Sequence, residues 1–117
     1  MPPNCYFEVD DYESSPWEFS RPFDFIHGRG LEGTVRNFPA FFKEALNNLK
    51  PGGFLEMVGI LLKAFSDDDT IKNAPYLVEW GELLTEASEK FGKPIDTPPL
   101  YKTWMQDAGF QNVKEDI

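Results

Sequence analysis

Two short clusters and one isolated acid hold the residue types that can do chemistry in this 117-residue chain. The first is Asp10-Asp11-Tyr12-Glu13, which follows an alternating apolar stretch. A carboxylate placed at a strand end can accept hydrogen bonds from a ribose hydroxyl or an exocyclic amine of a nucleoside. The competing reading is a solvated acidic turn, because Asp is a common turn residue. The second is His27-Gly28-Arg29-Gly30. His27 can act as a base, and Arg29 can bind a carboxylate or a phosphate. Here a polar strand end competes, since no Ser or Cys nucleophile stands with His27 in a recognisable motif. Glu56 joins His27 and Arg29 as the set to test for cofactor-independent chemistry on a metabolite. No spacing of His27 with Asp24 or Asp10 makes a metal-ligand set. Asp67-Asp68-Asp69 lacks the alternation, central Gly and closing Glu of a calcium loop and reads as a solvated run.

Composition narrows the classes. Hydrophobic residues make up 41% and aromatics 15%, with eleven Phe and three Trp, which excludes a disordered tail. Twenty acidic residues against eleven Lys and Arg leave a net charge of −9. That balance argues against general nucleic-acid binding and against an anionic membrane surface, both of which would repel the chain. No apolar run reaches the ~20 residues that span a bilayer. The opening Met-Pro-Pro-Asn-Cys has neither the basic flank nor the apolar core of a signal peptide. Cys5 is the single cysteine, so it makes neither an internal disulfide nor a cysteine zinc site. An intracellular location, cytoplasmic or nuclear, is the expectation.

The elements that must position these residues follow from periodicity. Cys5, Phe7 and Val9 alternate, and Cys5–Val9 is expected to be a strand. Tyr12–Pro22 reads as a loop anchored by Trp17 and Phe19, and Phe23–His27 as a short strand broken by Gly28-Arg29-Gly30. Asn37 is a good N-cap and Pro39 suits a first helical turn. From there Phe38, Phe41, Phe42, Ala45, Leu46 and Leu49 form one apolar stripe, stopped by Lys50-Pro51-Gly52-Gly53. Phe54–Ile60 reads as a buried strand of a parallel sheet. Leu61–Asn73 is irregular. Helices are expected over Pro75–Phe91, closed by Gly92, and over about Leu100–Ala108, closed by Gly109, with a last strand over Phe110–Ile117. The stripe around Trp80 and Leu84 is a core or partner face. This alternation specifies an α/β fold with a mainly parallel sheet, whose ligands sit beyond the carboxyl ends of the strands.

Four ordered stretches carry a family resemblance. They are Pro3-Asn4-Cys5-Tyr6-Phe7-Glu8-Val9-Asp10-Asp11-Tyr12-Glu13, then Phe23-Asp24-Phe25-Ile26-His27-Gly28-Arg29, then Leu49-Lys50-Pro51-Gly52-Gly53-Phe54-Leu55-Glu56 after its helix, and finally Trp104-Met105-Gln106-Asp107-Ala108-Gly109-Phe110. Together they resemble a class I S-adenosylmethionine-dependent methyltransferase, in the fungal branch that includes the velvet-associated regulator of secondary metabolism. The resemblance implies S-adenosylmethionine as cofactor, with Asp11 and Tyr12 near the adenine and His27, Gly28 and Arg29 facing cofactor and substrate. It also implies an incomplete Rossmann-like sheet, strands 3 to 6 of the family fold with flanking helices, in one truncated domain.

The family's opening strand with its Gly-x-Gly-x-Gly loop, and the acidic residue that binds the ribose, have no counterpart here. Little or no cofactor binding by the isolated monomer is therefore expected. Exposed sheet edges are expected to pair with a second copy or a complementary protein. Three functions stand open: a methyltransferase that is weak or inactive alone, a non-catalytic assembly module, and a small repurposed enzyme.

Overall fold

The aromatic face of one helix organises the chain. In the computed structural model, which describes residues 2–117, that helix is α1 (Phe38–Asn47). The Asn37 side chain accepts a hydrogen bond from Ala40 N at 3.1 Å, which satisfies an amide that the first turn would leave open. Steps of three and four then place Phe38, Phe41, Phe42 and Ala45 on one buried face. A short helix, α3 (Tyr101–Ala108), packs on that face with Tyr101 and Met105 buried. Trp104 stacks on Phe38 with ring centroids 5.6 Å apart. Gly109 ends α3 at φ +115°, where its N–H and that of Phe110 donate to the carbonyls of Gln106 and Met105.

α1 is also the crossover between two parallel strands, β1 (Phe23–Arg29) and β2 (Leu49–Val58). Parallel strands need such a connection because a tight hairpin cannot reverse the chain twice. The register pairs Phe25 with Phe54, His27 with Glu56, and Arg29 with Val58. Upstream, Phe23 pairs with Leu49, so the Lys-Pro-Gly-Gly stretch bulges between the two pairs. Gly53 is required there. A Cβ on it would stand 2.9 Å from the carbonyl oxygen of Lys50 and 3.0 Å from that of Asp24. Leu55 and Met57 point from β2 toward the α1 core.

The expected α/β class stands, with two of the four expected strands formed. Cys5–Val9 forms no strand, and Tyr6, Phe7 and Val9 are exposed. Alternation specifies a face, but a strand also needs a neighbour's backbone, and the described residues bring none to it. Phe110–Ile117 is likewise not a strand; Phe110 and Val113 turn onto the core instead, and Asn112 adopts φ +56°. The Lys-Pro-Gly-Gly stretch lies inside β2, which ends at Val58, short of the expected Ile60. α1 stops at Asn47, two residues before the expected end.

The remaining helix, α2 (Pro75–Phe91), has the expected bounds and ends at Gly92 with φ +87°. Its apolar stripe, however, faces outward. Leu77, Leu84 and Phe91 are exposed and Trp80 is 61% exposed, whereas Val78, Gly81, Thr85 and Ser88 are half-buried. The 3₁₀ turns Thr70–Asn73 and Pro98–Leu100 flank it in sequence.

The core and the outer sheet face make opposite predictions. Phe42 is 0% exposed, and Phe42→Ala is expected to cost about 3–5 kcal/mol, which approaches the whole stability of a small domain. Phe54 is 72% exposed, and Phe54→Ala is expected to shift stability by no more than about 0.5 kcal/mol. Urea denaturation followed by circular dichroism measures both.

Candidate functional site

Period-two alternation divides β1 between the two faces of the sheet. Ile26 and Gly28 point to the α1 side; Phe25, His27 and Arg29 point outward. The register sets Glu56 directly across from His27, and His27 Nδ1 lies 2.8 Å from Glu56 Oε1. A carboxylate on one ring nitrogen selects the tautomer and orients the imidazole. The Phe25 ring stacks alongside at 6.3 Å. The structure thus brings together two of the three candidates for direct chemistry, His27 and Glu56, with Arg29 two residues along the same face. Both partners remain substantially exposed, so the pair contributes about 0–1 kcal/mol to stability. Gly28 serves packing: a Cβ there would meet Met57 Sδ at 2.7 Å and Leu31 Cδ1 at 3.1 Å.

The acidic turn is a clamp. The Asp11 carboxylate accepts a hydrogen bond from Glu13 N at 2.9 Å, which folds the turn on itself. Tyr12 donates its hydroxyl to Thr34 Oγ1 at 2.7 Å and sets its ring edge against Phe41 of α1. Glu13 accepts from Lys93 Nζ at 2.8 Å and from Arg36 N at 2.8 Å. The Lys93 hydrogen bond, then that from Arg36 N, hold the Glu13 carboxyl below its ordinary range. Farther along, Glu44 on α1 receives Ser15 Oγ and Trp17 N. The turn therefore ties three distant segments together.

A polar cluster lies near the carboxyl end of the sheet, and the sequence reading missed it. Glu32 Oε1 accepts from Ile60 N at 2.9 Å, just past the end of β2. Thr97, itself buried, donates to the Tyr101 hydroxyl at 3.3 Å. Burial pushes the Tyr101 phenol above its ordinary range, and the Glu32 charge adds to that rise. Pro98 closes over Gly59, with its Cγ 2.9 Å from where a Cβ would stand. Nothing in the local pattern marks Glu32 or Tyr101; Thr97-Pro98-Pro99 reads only as punctuation.

The residues expected to hold S-adenosylmethionine do not form one cradle. Asp11 and Tyr12 sit on the α1 side, while His27 and Arg29 occupy the opposite face of the sheet. Asp11 is engaged within its own turn, and the space beside Gly28 is filled by Met57. The cavity beside Tyr12 and Glu13 is about 60 Å³, well below the ~300 Å³ at which ligand sites begin. A wider opening of about 900 Å³ lies between Tyr6, Glu8 and Asp10 on the amino-terminal arm and Phe23 at the start of β1, away from His27. Among the described residues no three His, Cys, Asp or Glu side chains gather to hold a metal. Nor, among these residues, is any helix long and apolar enough to cross a membrane.

Comparison with known proteins supplies the lineage. The family described as "Methyltransferase domain" matches residues 2–115. A "Probable methyltransferase tdiE" from Emericella nidulans is 43% identical over 99 residues, covering 85% of this chain and 31% of the relative. A "Methyltransferase pytC" from Aspergillus terreus is 33% identical over 112 residues, covering 96% of this chain and 34% of the relative. A "Secondary metabolism regulator LAE1" from Cochliobolus heterostrophus is 32% identical over 120 residues, covering 100% of this chain and 39% of the relative. The chain thus spans about a third of the length of the curated relatives it matches. No solved structure matches it significantly.

The clamp makes a pH-dependent prediction. Glu13→Gln keeps an acceptor for Arg36 N but loses the charge that holds Lys93. It is expected to cost about 1 kcal/mol near pH 7. The folded-state pKa is lowered, so this contribution is fully present above the ordinary value near 4.5 and is lost as pH falls through the folded value. Melting temperatures of wild type and Glu13→Gln should therefore differ at pH 7 and converge on acidification below pH 4.5.

Proposed function

The chain belongs to the methyltransferase domain family, and from that premise we propose that it is a segment of a methyl-transfer domain linked to fungal secondary metabolism, with little affinity for S-adenosylmethionine by itself. The family generally uses that cofactor. What carries the reading is the separation of the expected cofactor contacts: the Asp11–Tyr12 turn lies on the α1 side of the sheet and His27–Arg29 on the other. Methyl transfer from a sulfonium needs an in-line approach, and holding the reactants supplies much of the rate. Two half-sites on opposite faces cannot supply that alignment. The match to about a third of its relatives' length supports the same reading, because most of each relative lies outside the matched part.

An assembly role is the second reading, and the exposed apolar surfaces favour it. Phe25, Phe54 and Val58 on the sheet, and Leu77, Trp80 and Leu84 on α2, face outward. The His27–Glu56 pair lies on the exposed outer face of the sheet and lines neither of the two cavities described above, so they lend a cofactor-independent enzyme no support.

Titration calorimetry with S-adenosylmethionine and with its demethylated product tests the proposal. The isolated chain is expected to show no binding tighter than about 100 μM. Fusion to the portion of a family relative outside the matched part is expected to confer binding. Micromolar affinity of the isolated chain would overturn the reading.

A further inference from the structure

Residues 11–17 close on themselves before they touch the rest of the molecule. Ser14 N and Ser14 Oγ donate to the Asp11 carbonyl at 3.1 and 2.7 Å, and Glu13 N donates to the Asp11 carboxylate. The Trp17 indole N–H then donates to the Tyr12 carbonyl at 2.9 Å and ties the two ends of the loop together. A short surface loop closed by its own hydrogen bonds moves as one piece.

Three anchors hold this loop to the body. Tyr12 donates to Thr34 Oγ1, Glu13 accepts from Lys93 Nζ and Arg36 N, and Glu44 on α1 accepts from Ser15 Oγ and Trp17 N. None of the anchoring side chains is buried, so water can replace each lost partner. Apolar adhesion is slight. Tyr12 and Trp17 set only ring edges against Phe41, at 6.0 and 5.6 Å, and the cavity of about 60 Å³ lies between the loop and α1. The flanks add little. Tyr6, Phe7 and Val9 are exposed ahead of the loop, and residues 18–22 are exposed after it. The next backbone fastening is at Phe23, whose N–H donates to the Asn48 carbonyl at 2.7 Å. α1 itself is secured from another side, where Phe38 and Phe42 pack with Tyr101 and Met105. Segments with few buried apolar contacts and exposed hydrogen bonds open at lower free energy than a core.

We propose that residues 11–17 form a strap, hinged at residues 18–22, that swings off α1 as one piece while α1, α3 and the sheet stay folded. Opening uncovers Phe41 and Val35, which are 6% and 1% exposed when the strap is down, and frees Glu44 and Lys93 beside them. The molecule thereby alternates between a covered and an uncovered apolar site on α1. Opening is independent of the cofactor reading, since it is measured with no cofactor present.

Native-state amide exchange of the 117-residue chain, followed by NMR, measures the motion. Arg36 N and Trp17 N, which donate to Glu13 and Glu44, are expected to share one opening constant, at least about tenfold larger than that of the α1 amides around Phe42. Coupling between the anchors is the decisive arm. Glu44→Gln is expected to speed exchange at Arg36 N about fivefold, although Arg36 N is bonded to Glu13 and not to Glu44. Glu13→Gln is expected to speed exchange at Trp17 N equally, and both variants should keep the wild-type circular dichroism. Strap amides that exchange no faster than those of α1, or substitutions that each affect only their own anchor, would overturn the proposal.

Discussion

A parallel strand pair cannot be covered by its own turns, and the rest of this structure follows from that constraint. The chain between β1 and β2 must cross over one face, and it does so as α1. Because α1 must bury its side toward the sheet and α3, its stripe is four residues wide in Phe and Ala, with Phe42 and Ala45 fully enclosed. α3 closes that core from the other side with Tyr101, Trp104 and Met105. Among the described residues the outer face of the same two strands has no such cover, and the apolar stripe of α2 also faces outward. Hydrophobic burial is thus satisfied on one side of the molecule and unsatisfied on the other.

The polar features divide in the same way. On the covered side, Asp11, Tyr12 and Glu13 are engaged in holding the amino-terminal segment against α1, the Thr34–Arg36 segment and Lys93. On the uncovered side, His27 and Glu56 meet across the strands in water. The family resemblance implies one cofactor for Asp11, Tyr12, His27, Gly28 and Arg29, but the sheet stands between the Asp11–Tyr12 turn and the His27 and Arg29 side chains. Fold membership and a working site are separate properties, because a site depends on specific convergent geometry that a fold alone does not supply.

Much of this was legible from residue order. Asn37, Pro39 and the Phe38–Phe42 spacing mark α1, and Gly92 and Gly109 mark the ends of α2 and α3, because caps and helical period are local properties. The Cys5–Val9 alternation was equally clear and yet produced no strand, because pairing is a non-local property. The pairing of His27 with Glu56 was invisible for a related reason. The residues are 29 apart, and only the β1–β2 register, displaced by the bulge at Lys50–Gly53, sets one opposite the other. Glu32 and Tyr101 gave no local signal, since their proximity arises where α3 and the end of β2 meet.

By itself the sequence determined the class, the family, the helices and the aromatic stripe that becomes the core. The family rests on the resemblance of four ordered stretches, and the others on composition, local propensity or the period of one element. Tertiary structure alone decided which apolar stripe was buried, what the acidic turn holds, and that the expected cofactor residues lie on opposite faces. Those outcomes depend on which surfaces find a partner across the chain, and the α2 stripe, as regular as that of α1, found none within it.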